Sequence, residues 1–443
     1  MSTTTPEPTR ETGPRAGAPD QTADAGLDPT AATAALPADL QDERLIADAG
    51  GVGGAVRAFF ARLRSGDLGA LPVVIGLVII WVVFQGLNDA FLSPRNLVNL
   101  TLQSAAIGTI AIGIVLVLLL GEIDLSVGSV SGLAAAIVAV GTVNKGWPVP
   151  LALLAAIVVA AVIGLAYGAI YTRFGVPSFV ITLAGLLGFL GLQLKVLGAE
   201  GSINLPFESG LVKFAQQTFL PPALAYVLAL AAVAVYVGTR LRANARRDAA
   251  GLSTTPLGMV AARAAFLALF LVVPILVLNR DRGVSVMFLV FLLLVVVMDF
   301  AIRRTSWGRS VMAVGGNVEA ARRAGIHVKR VYLTVFALCS TFAAVGGIFA
   351  AARLAAANQS SGGADTNLNA IAAAVIGGTS LFGGRGSAYA ALLGILVIQS
   401  ISNGLALINL GSPERYMITG AVLLLAVTVD ALSRRSRAAH GRA

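Results

Sequence analysis

The residues whose types and spacing could do chemistry stand in three polar islands of an otherwise apolar chain. The first is Gly121 to Ser129, GEIDLSVGS, which sets Glu122 and Asp124 between two apolar segments. Ionisable groups at bilayer depth are costly, so both acids should face a cavity, a partner or the membrane surface. Asp124 or Ser126 also suits the N-cap of a helix beginning near Val127, where a side-chain oxygen accepts from free amide groups. The second island is Arg303 to Arg330, RRTSWGRSVMAVGGNVEAARRAGIHVKR. Its Gly315-Gly316-Asn317 segment reads as a turn, with Asn317 capping a short helix over Val318 to Ala324, Glu319 in its first turn and Arg322 and Arg323 in its last. Such a loop is long for a membrane connector and suits docking of another subunit, against the alternative of a solvated helix with no partner. The third island is Asn358 to Ser387, in which NQSSGGADTNLNA precedes IAAAVIGGTSLFGGRGS. Small residues at this density allow close helix packing or leave helices broken beside a pathway, and the polar run suits a mouth on the outer side.

Catalytic chemistry finds little to work with. The chain has two histidines, His327 and His440, and one cysteine, Cys339, in an apolar run. No His, Glu and Cys constellation at ligand spacing appears, so neither a metal site nor an activated nucleophile is expected. The four lysines, Lys145, Lys195, Lys213 and Lys329, never follow a glycine, so no phosphate-binding Gly-x-x-x-x-Gly-Lys loop exists. ATP hydrolysis, if used, resides in another chain.

The elements that must hold these islands are membrane spans. Of 443 residues 57% are hydrophobic and 12% charged, too apolar for a water-facing surface. A helix needs roughly 20 apolar residues to cross, and candidates fall near 71–90, 97–120, 125–143, 149–172, 177–197, 221–239, 259–279, 284–302, 331–354, 368–381, 387–408 and 415–432. The expected fold is therefore an all-α polytopic integral membrane protein of about 10–12 transmembrane helices, with 125–143 and 368–381 short or broken. Residues 1–50, rich in Thr, Pro, Ala, Gly and Asp, read as a disordered cytoplasmic tail without a signal peptide. Residues 51–68 contain AVRAFFARLR, an amphipathic segment suited to the inner leaflet; 69–433 form the membrane domain and 434–443 a basic cytoplasmic tail.

Orientation follows the Lys and Arg clusters, because short basic loops stay in the cytoplasm. With twelve spans, the clusters around Arg57–Arg64, Arg240–Arg247, Arg303–Arg330 and Arg434–Arg437 share one side, which places both termini there. Arg280 and Arg282, beside Asp281, are the discordant outer loop. The net charge of +10 is thus topological, and its pattern excludes a nucleic-acid surface. Polar groups within or beside spans are the pathway candidates: Gln103, Ser104, Asp124, Ser126, Gln193, Gln399 and Asn403. A neutral polyol needs hydrogen-bonding groups and no fixed countercharge, although each of these side chains could equally serve one helix binding another.

The blocks GEIDLSVGSV, AVGGNVEAARRAGI and LNAIAAAVIGGTSLFGGRGS resemble, in this order, those of the ribose/xylose-type permeases of binding-protein-dependent ABC importers. The likeness covers about 45 to 435, and the added pair of hydrophobic segments within Arg240–Arg304 is similar to the longer xylose-type members. The resemblance implies a bacterial cytoplasmic-membrane permease subunit for a monosaccharide such as xylose, with no cofactor of its own. Two permease subunits, as a homodimer or heterodimer, would form the pathway, separate ATPase subunits would use ATP, and an extracytoplasmic sugar-binding protein would deliver the cargo. It further implies that 303–330 is the coupling loop, with Gly315, Gly316, Asn317, Glu319, Ala320, Ala321, Arg322 and Gly325 at the ATPase groove. Glu122 replaces the family's usual second glycine, and Asn367 a commonly acidic residue. The alternatives are a permease for another small solute, such as a branched-chain amino acid or sugar-like signal, and an ion-coupled carrier. The carrier would place acids or His in mid-helix, whereas Asp299 and Asp430 lie near helix ends.

Overall fold

The computed structural model describes Gly53, residues 71–411 and, beyond them, 413–415, 417–422, 424 and 428. The tail 1–50, nearly all of 51–68, part of the 415–432 span and the basic end 434–443 lie outside the described residues.

Apolar runs become helices wherever the sequence supplies enough length, because every backbone polar group in lipid must bond within its own segment. In chain order these are α1 (Leu71–Leu87), α2 (Pro94–Leu119), α3 (Val127–Ala139), α4 (Val149–Phe174) and α5 (Ser178–Leu197). Then come the short strand β1 (Ser202–Asn204), α6 (Gly210–Gln216), α7 (Pro222–Ala249), α8 (Leu257–Leu278) and α9 (Val286–Arg304). The chain continues through α10 (Ser306–Gly316), α11 (Val318–Arg323), α12 (Val328–Leu354), β2 (Ala356–Asn358), α13 (Ala364–Ile376) and α14 (Tyr389–Leu407). Among the described residues, nine helices are long and apolar enough to cross a membrane, and the 17-residue α1 is a shorter apolar helix. The protein is an integral membrane protein of the all-α kind.

The weak spans are the ones the structure breaks. The α3 helix passes at Val140–Asn144 into a π-helical turn, and α13 has only 13 residues. With that turn α3 makes an 18-residue span over Val127–Asn144, whereas α13 is too short to cross alone at 1.5 Å per residue. The basic stretch after the 221–239 span is a helix and not a loop: α7 runs on to Ala249, carrying Arg240, Arg242, Arg246 and Arg247, because Ala and Arg are strong helix formers.

The spine is α12, which packs most extensively on α4 and α2 and then on α3. Glycines let the backbones touch. A Cβ on Gly164 or Gly168 of α4 would run into the α12 backbone at Phe336–Ala337 or at Leu333, and one on Gly347 of α12 into the Ser131 carbonyl. This is the small-residue packing by which membrane helices associate, since lipid offers no hydrophobic drive between them. A smaller apolar cluster of Phe84, Phe91, Val397, Ile401 and Leu405 joins α1 to α14, fixed by Trp81 Nε1 donating to Ser400 Oγ at 2.9 Å. The α7–α8 hairpin packs mainly on itself, touching the rest chiefly through α8 and α2.

At the end of the bundle opposite α10 and α11, β1 pairs antiparallel with β2, Ile203 facing Ala357. The discordant basic loop lies at this end too. Arg282 bonds Asn99 Oδ1 at 2.7 Å, pairs with Asp281 at 3.3 Å and sits over the Phe219 ring. Its charge is thus met locally by a carboxylate, an amide oxygen and a ring face.

Candidate functional site

All three polar islands meet at the end of α2. The α2 helix stops at Leu119 and Gly121 takes φ +78, a left-handed value that glycine adopts without strain. From there 121–126 turns back between the helices as an irregular segment before α3 begins. The Leu119 carbonyl, orphaned by the helix end, accepts from the Gly384 amide at 2.9 Å. Against the same carbonyl lies Gly315 near the C-terminus of α10, and Gly383 lies against both Gly315 and Gly121. A side chain on Gly315 would collide with the Leu119 carbonyl. The second and third islands are thus locked backbone to backbone on the first.

The coupling-loop candidates lie beside this junction. Gly315 and Gly316 do not form a turn; they are the last residues of α10, and Asn317 alone breaks the chain. The reason is economical: Asn317 closes α10 with its amide on Ala313 O and opens α11 with its side chain accepting from Ala320 N at 2.9 Å. Arg322 pairs with Glu319 at 2.8 Å across the exposed face. Ala321 is buried while Glu319 and Ala320 face out. Gly325, at φ +82, ends α11 by letting the Ile326 amide reach back to Ala321 O at 3.1 Å, the six-to-one bond of a glycine-terminated helix. His327 then leads into α12. An open cleft of about 910 Å³ separates α11 from the ends of α4 and α12, lined by Glu122, Tyr171, Val318, Arg322, His327 and Tyr332.

Deeper in, the 121–126 segment is held from every side. The buried Asp124 accepts at Oδ1 from the Ser126 amide at 2.8 Å and from its hydroxyl at 2.7 Å, and Cys339 Sγ lies 3.7 Å from Oδ2. Capping of α3 is not the role of these residues: Ser126 occupies the cap position without a side-chain bond to the helix. Backbone geometry explains this, since Ser126 has α-region dihedrals and not the extended ones a capping side chain needs. Its hydroxyl instead accepts from Tyr167 Oη at 2.9 Å. Leu125 donates its amide to Thr182 Oγ1 at 3.1 Å, and its carbonyl accepts from Asn367 Nδ2 at 2.8 Å. An ionised carboxylate could not donate there, which accounts for an amide at 367.

The remaining pathway candidates sit between helices of this one chain. Gln193 Nε2 donates to the carbonyls of Asn358 at 3.0 Å and Ser361 at 2.9 Å, tying α5 to the irregular segment before α13. Gln399 Nε2 donates to the Gln103 carbonyl at 3.3 Å, and Asn403 Oδ1 accepts from Asn96 Nδ2 at 2.7 Å. Ser104 is buried, with no partner for Oγ among the described residues. Gln103 is the only one of the seven candidates outside the buried class. Sequence reasoning missed Asn96, Tyr167, Tyr171 and Thr182, whose polar ends all bind these segments. Their signal was a polar atom inside an apolar run, which gives no hint of its partner.

The comparisons with known proteins agree with this arrangement. The family model for the permease component of the branched-chain amino acid transport system matches residues 96–427. The xylose transport system permease protein XylH of Escherichia coli K12 is 36% identical over 377 residues, 85% of this chain and 95% of the relative. XylH of Haemophilus influenzae is 34% identical over 84% of this chain and 99% of the relative. The ribose import permease protein RbsC of Bacillus subtilis is 30% identical over 83% and 94% respectively. No solved structure matches the chain. A bundle with broken inner helices, three glycine blocks joined at one helix end and near full-length likeness to transport permeases place the chain in that family of transport-system permease components.

Proposed function

We propose that this chain is the permease subunit of an ABC importer and forms the pathway for a monosaccharide, xylose or a related pentose. The observation that carries the reading is the 36% identity to a xylose permease over 95% of that protein's length. In this reading two permease subunits, identical in the simplest case, enclose the pathway. An extracytoplasmic sugar-binding protein delivers the sugar, and cytoplasmic ATPase subunits power the cycle. The chain lies in the bacterial cytoplasmic membrane with both termini inside, as the basic clusters favour.

The exposed face of α11, with Glu319, Ala320 and Arg322, enters a groove of the ATPase, while Gly315, Asn317, Ala321 and Gly325 give the loop its shape and Gly316 ends α10 beside them with open space at its Cα. That division is supported by burial, since α11 hides Ala321 and presents its charged residues to water. Gln103 contacts the sugar, and Ser104, Asp124, Ser126, Gln193, Gln399 and Asn403 hold the walls of the pathway in register. Alternating access then needs no covalent chemistry on the cargo.

The test is uptake of labelled xylose, ribose and leucine in cells lacking the chain, complemented with wild type or with Glu319→Arg plus Ala320→Asp. Wild type is expected to restore sugar uptake. The double variant, inserted at normal levels, should fall at least tenfold and lose the ATPase in pull-down. Sugar uptake by the double variant at the wild-type rate with no ATPase bound would make the chain a self-sufficient carrier, and uptake of leucine alone would make the cargo an amino acid.

A further inference from the structure

The inner end of the 121–126 segment carries a contact set that neither chain reversal nor helix packing requires. Both oxygens of Glu122 are engaged: Oε1 accepts from Tyr171 Oη at 2.6 Å and Oε2 from Ser178 Oγ at 2.6 Å. Tyr171 belongs to the last turn of α4 and Ser178 begins α5, so one carboxylate joins the irregular segment to two helices. The same Ser178 hydroxyl accepts from the Ile123 amide at 3.4 Å. On its other side Tyr171 packs against the tilted ring of Tyr332, centroids 4.5 Å apart and planes at 32°, with the hydroxyls 3.4 Å apart. Tyr332 is buried in the first turns of α12, the helix that His327 joins to α11.

A continuous path therefore runs from α11 through the base of α12 and the Tyr332–Tyr171 pair to Glu122. It ends in the segment that positions Asp124, Ser126 and the start of α3. Two bonds of 2.6 Å, one to each carboxyl oxygen, hold the Glu122 end of the path from two helices at once. The open cleft lies beside it, between α11 and this cluster, and leaves α11 room to move while α12 and Tyr332 stay packed.

We propose that Glu122 is a positioning residue for transport: it fixes the irregular segment after α2 to α4 and α5 and, through the tyrosine pair, to the helix that follows the coupling loop. The inference rests on the importer reading above. Its function is to keep ATP hydrolysis matched to sugar movement, without touching either the ATPase or the sugar.

The experiment uses the complete importer in lipid nanodiscs and proteoliposomes, measuring ATP hydrolysed and xylose moved for wild type, Glu122→Ala, Glu122→Gln and Tyr171→Phe. Glu122→Ala should hold its ATPase in pull-down and keep at least half of the wild-type hydrolysis rate, but move at least fivefold less sugar per ATP. Glu122→Gln, which retains an acceptor for Tyr171, should stay within twofold of wild type. Tyr171→Phe removes the 2.6 Å bond with almost no change in volume and should lower the ratio two- to fivefold, so it decides the matter if the alanine variant fails to insert. A wild-type ratio of sugar to ATP in Tyr171→Phe, or in an inserted Glu122→Ala, overturns the proposal. Wild type that moves sugar without ATP overturns the importer reading instead, so the two failures are separable.

Discussion

Gly315→Ala should abolish uptake, with at least a tenfold loss and a lower melting temperature in detergent, although the substitution adds one methyl group. The Cβ has nowhere to go: it would meet the Leu119 carbonyl and, close by, the Gly384 backbone. Both obstacles are backbone, and neither can rotate aside as a side chain would. Relief requires either that α10 lift away from α2 or that the Leu119 carbonyl turn aside, and the second breaks the Gly384 to Leu119 hydrogen bond and leaves a buried helix-end carbonyl unpaired, at a cost on the order of 1–3 kcal/mol. Gly316→Ala is the control. Nothing lies within contact of a Cβ on Gly316, and alanine is the better helix former at the end of α10, so this variant should insert and transport within twofold of wild type. Uptake assays with a thermal-shift measurement on both variants decide the point, and equal behaviour of the pair would show that the α10–α2 contact is not a structural joint.

The second large effect is expected from Asp124→Val, which should leave little folded protein in the membrane, while Asp124→Asn should insert at roughly wild-type levels. Asp124 is buried beside Cys339, about 16 Å along α12 from its start at 1.5 Å per residue. Its oxygen serves the Ser126 amide and hydroxyl. Valine fills similar space but accepts nothing, so the amide of an irregular segment would be stranded in a dry environment where no water can replace its partner. Asparagine retains a carbonyl for the Ser126 amide, which is the bond that shapes the turn. Fluorescence-detected size-exclusion of tagged variants gives the readout. A monodisperse Asp124→Val peak at the wild-type height would mean that the Ser126 amide finds another acceptor.

Much of this architecture was legible because membrane helices announce themselves by length and apolarity. The expected span at 331–354 became α12 at Val328–Leu354, and of the two weak spans, 125–143 became α3 with its π-helical turn and 368–381 the 13-residue α13. Asn317 as the cap of α11 could be read from sequence as well, since capping is a matter of three neighbouring residues. Gly315 and Gly316 misled because a glycine pair before an asparagine suits a turn, whereas here one glycine is demanded by the close approach of α2. That demand comes from a residue almost two hundred positions away, and no local pattern carries it. The same holds for Glu122. Its spacing to Asp124 was visible, but Tyr171, Ser178 and Tyr332 are brought to it by helix packing alone. Gln193 illustrates the same limit: a polar residue in an apolar run is visible in the sequence, but not that its amide holds the carbonyls of Asn358 and Ser361.

The backbone contacts along α12 have a mechanical consequence. Where α12 meets its neighbours through backbone, at Leu333, Phe336–Ala337 and Gly347, no layer of flexible side chains lies between the helices to take up a push. Gly346 and Gly347, an adjacent pair at which a long helix would ordinarily bend, are wedged against Ala106, Ile110 and Ser131. One end of this helix is the root of α11; the other is Leu354, from which the left-handed Ala355 turns the chain into β2 and its pairing with β1. The chain therefore contains a braced rod of about 40 Å by helix rise, so that a small tilt imposed at one end would appear, reversed in direction, at the other.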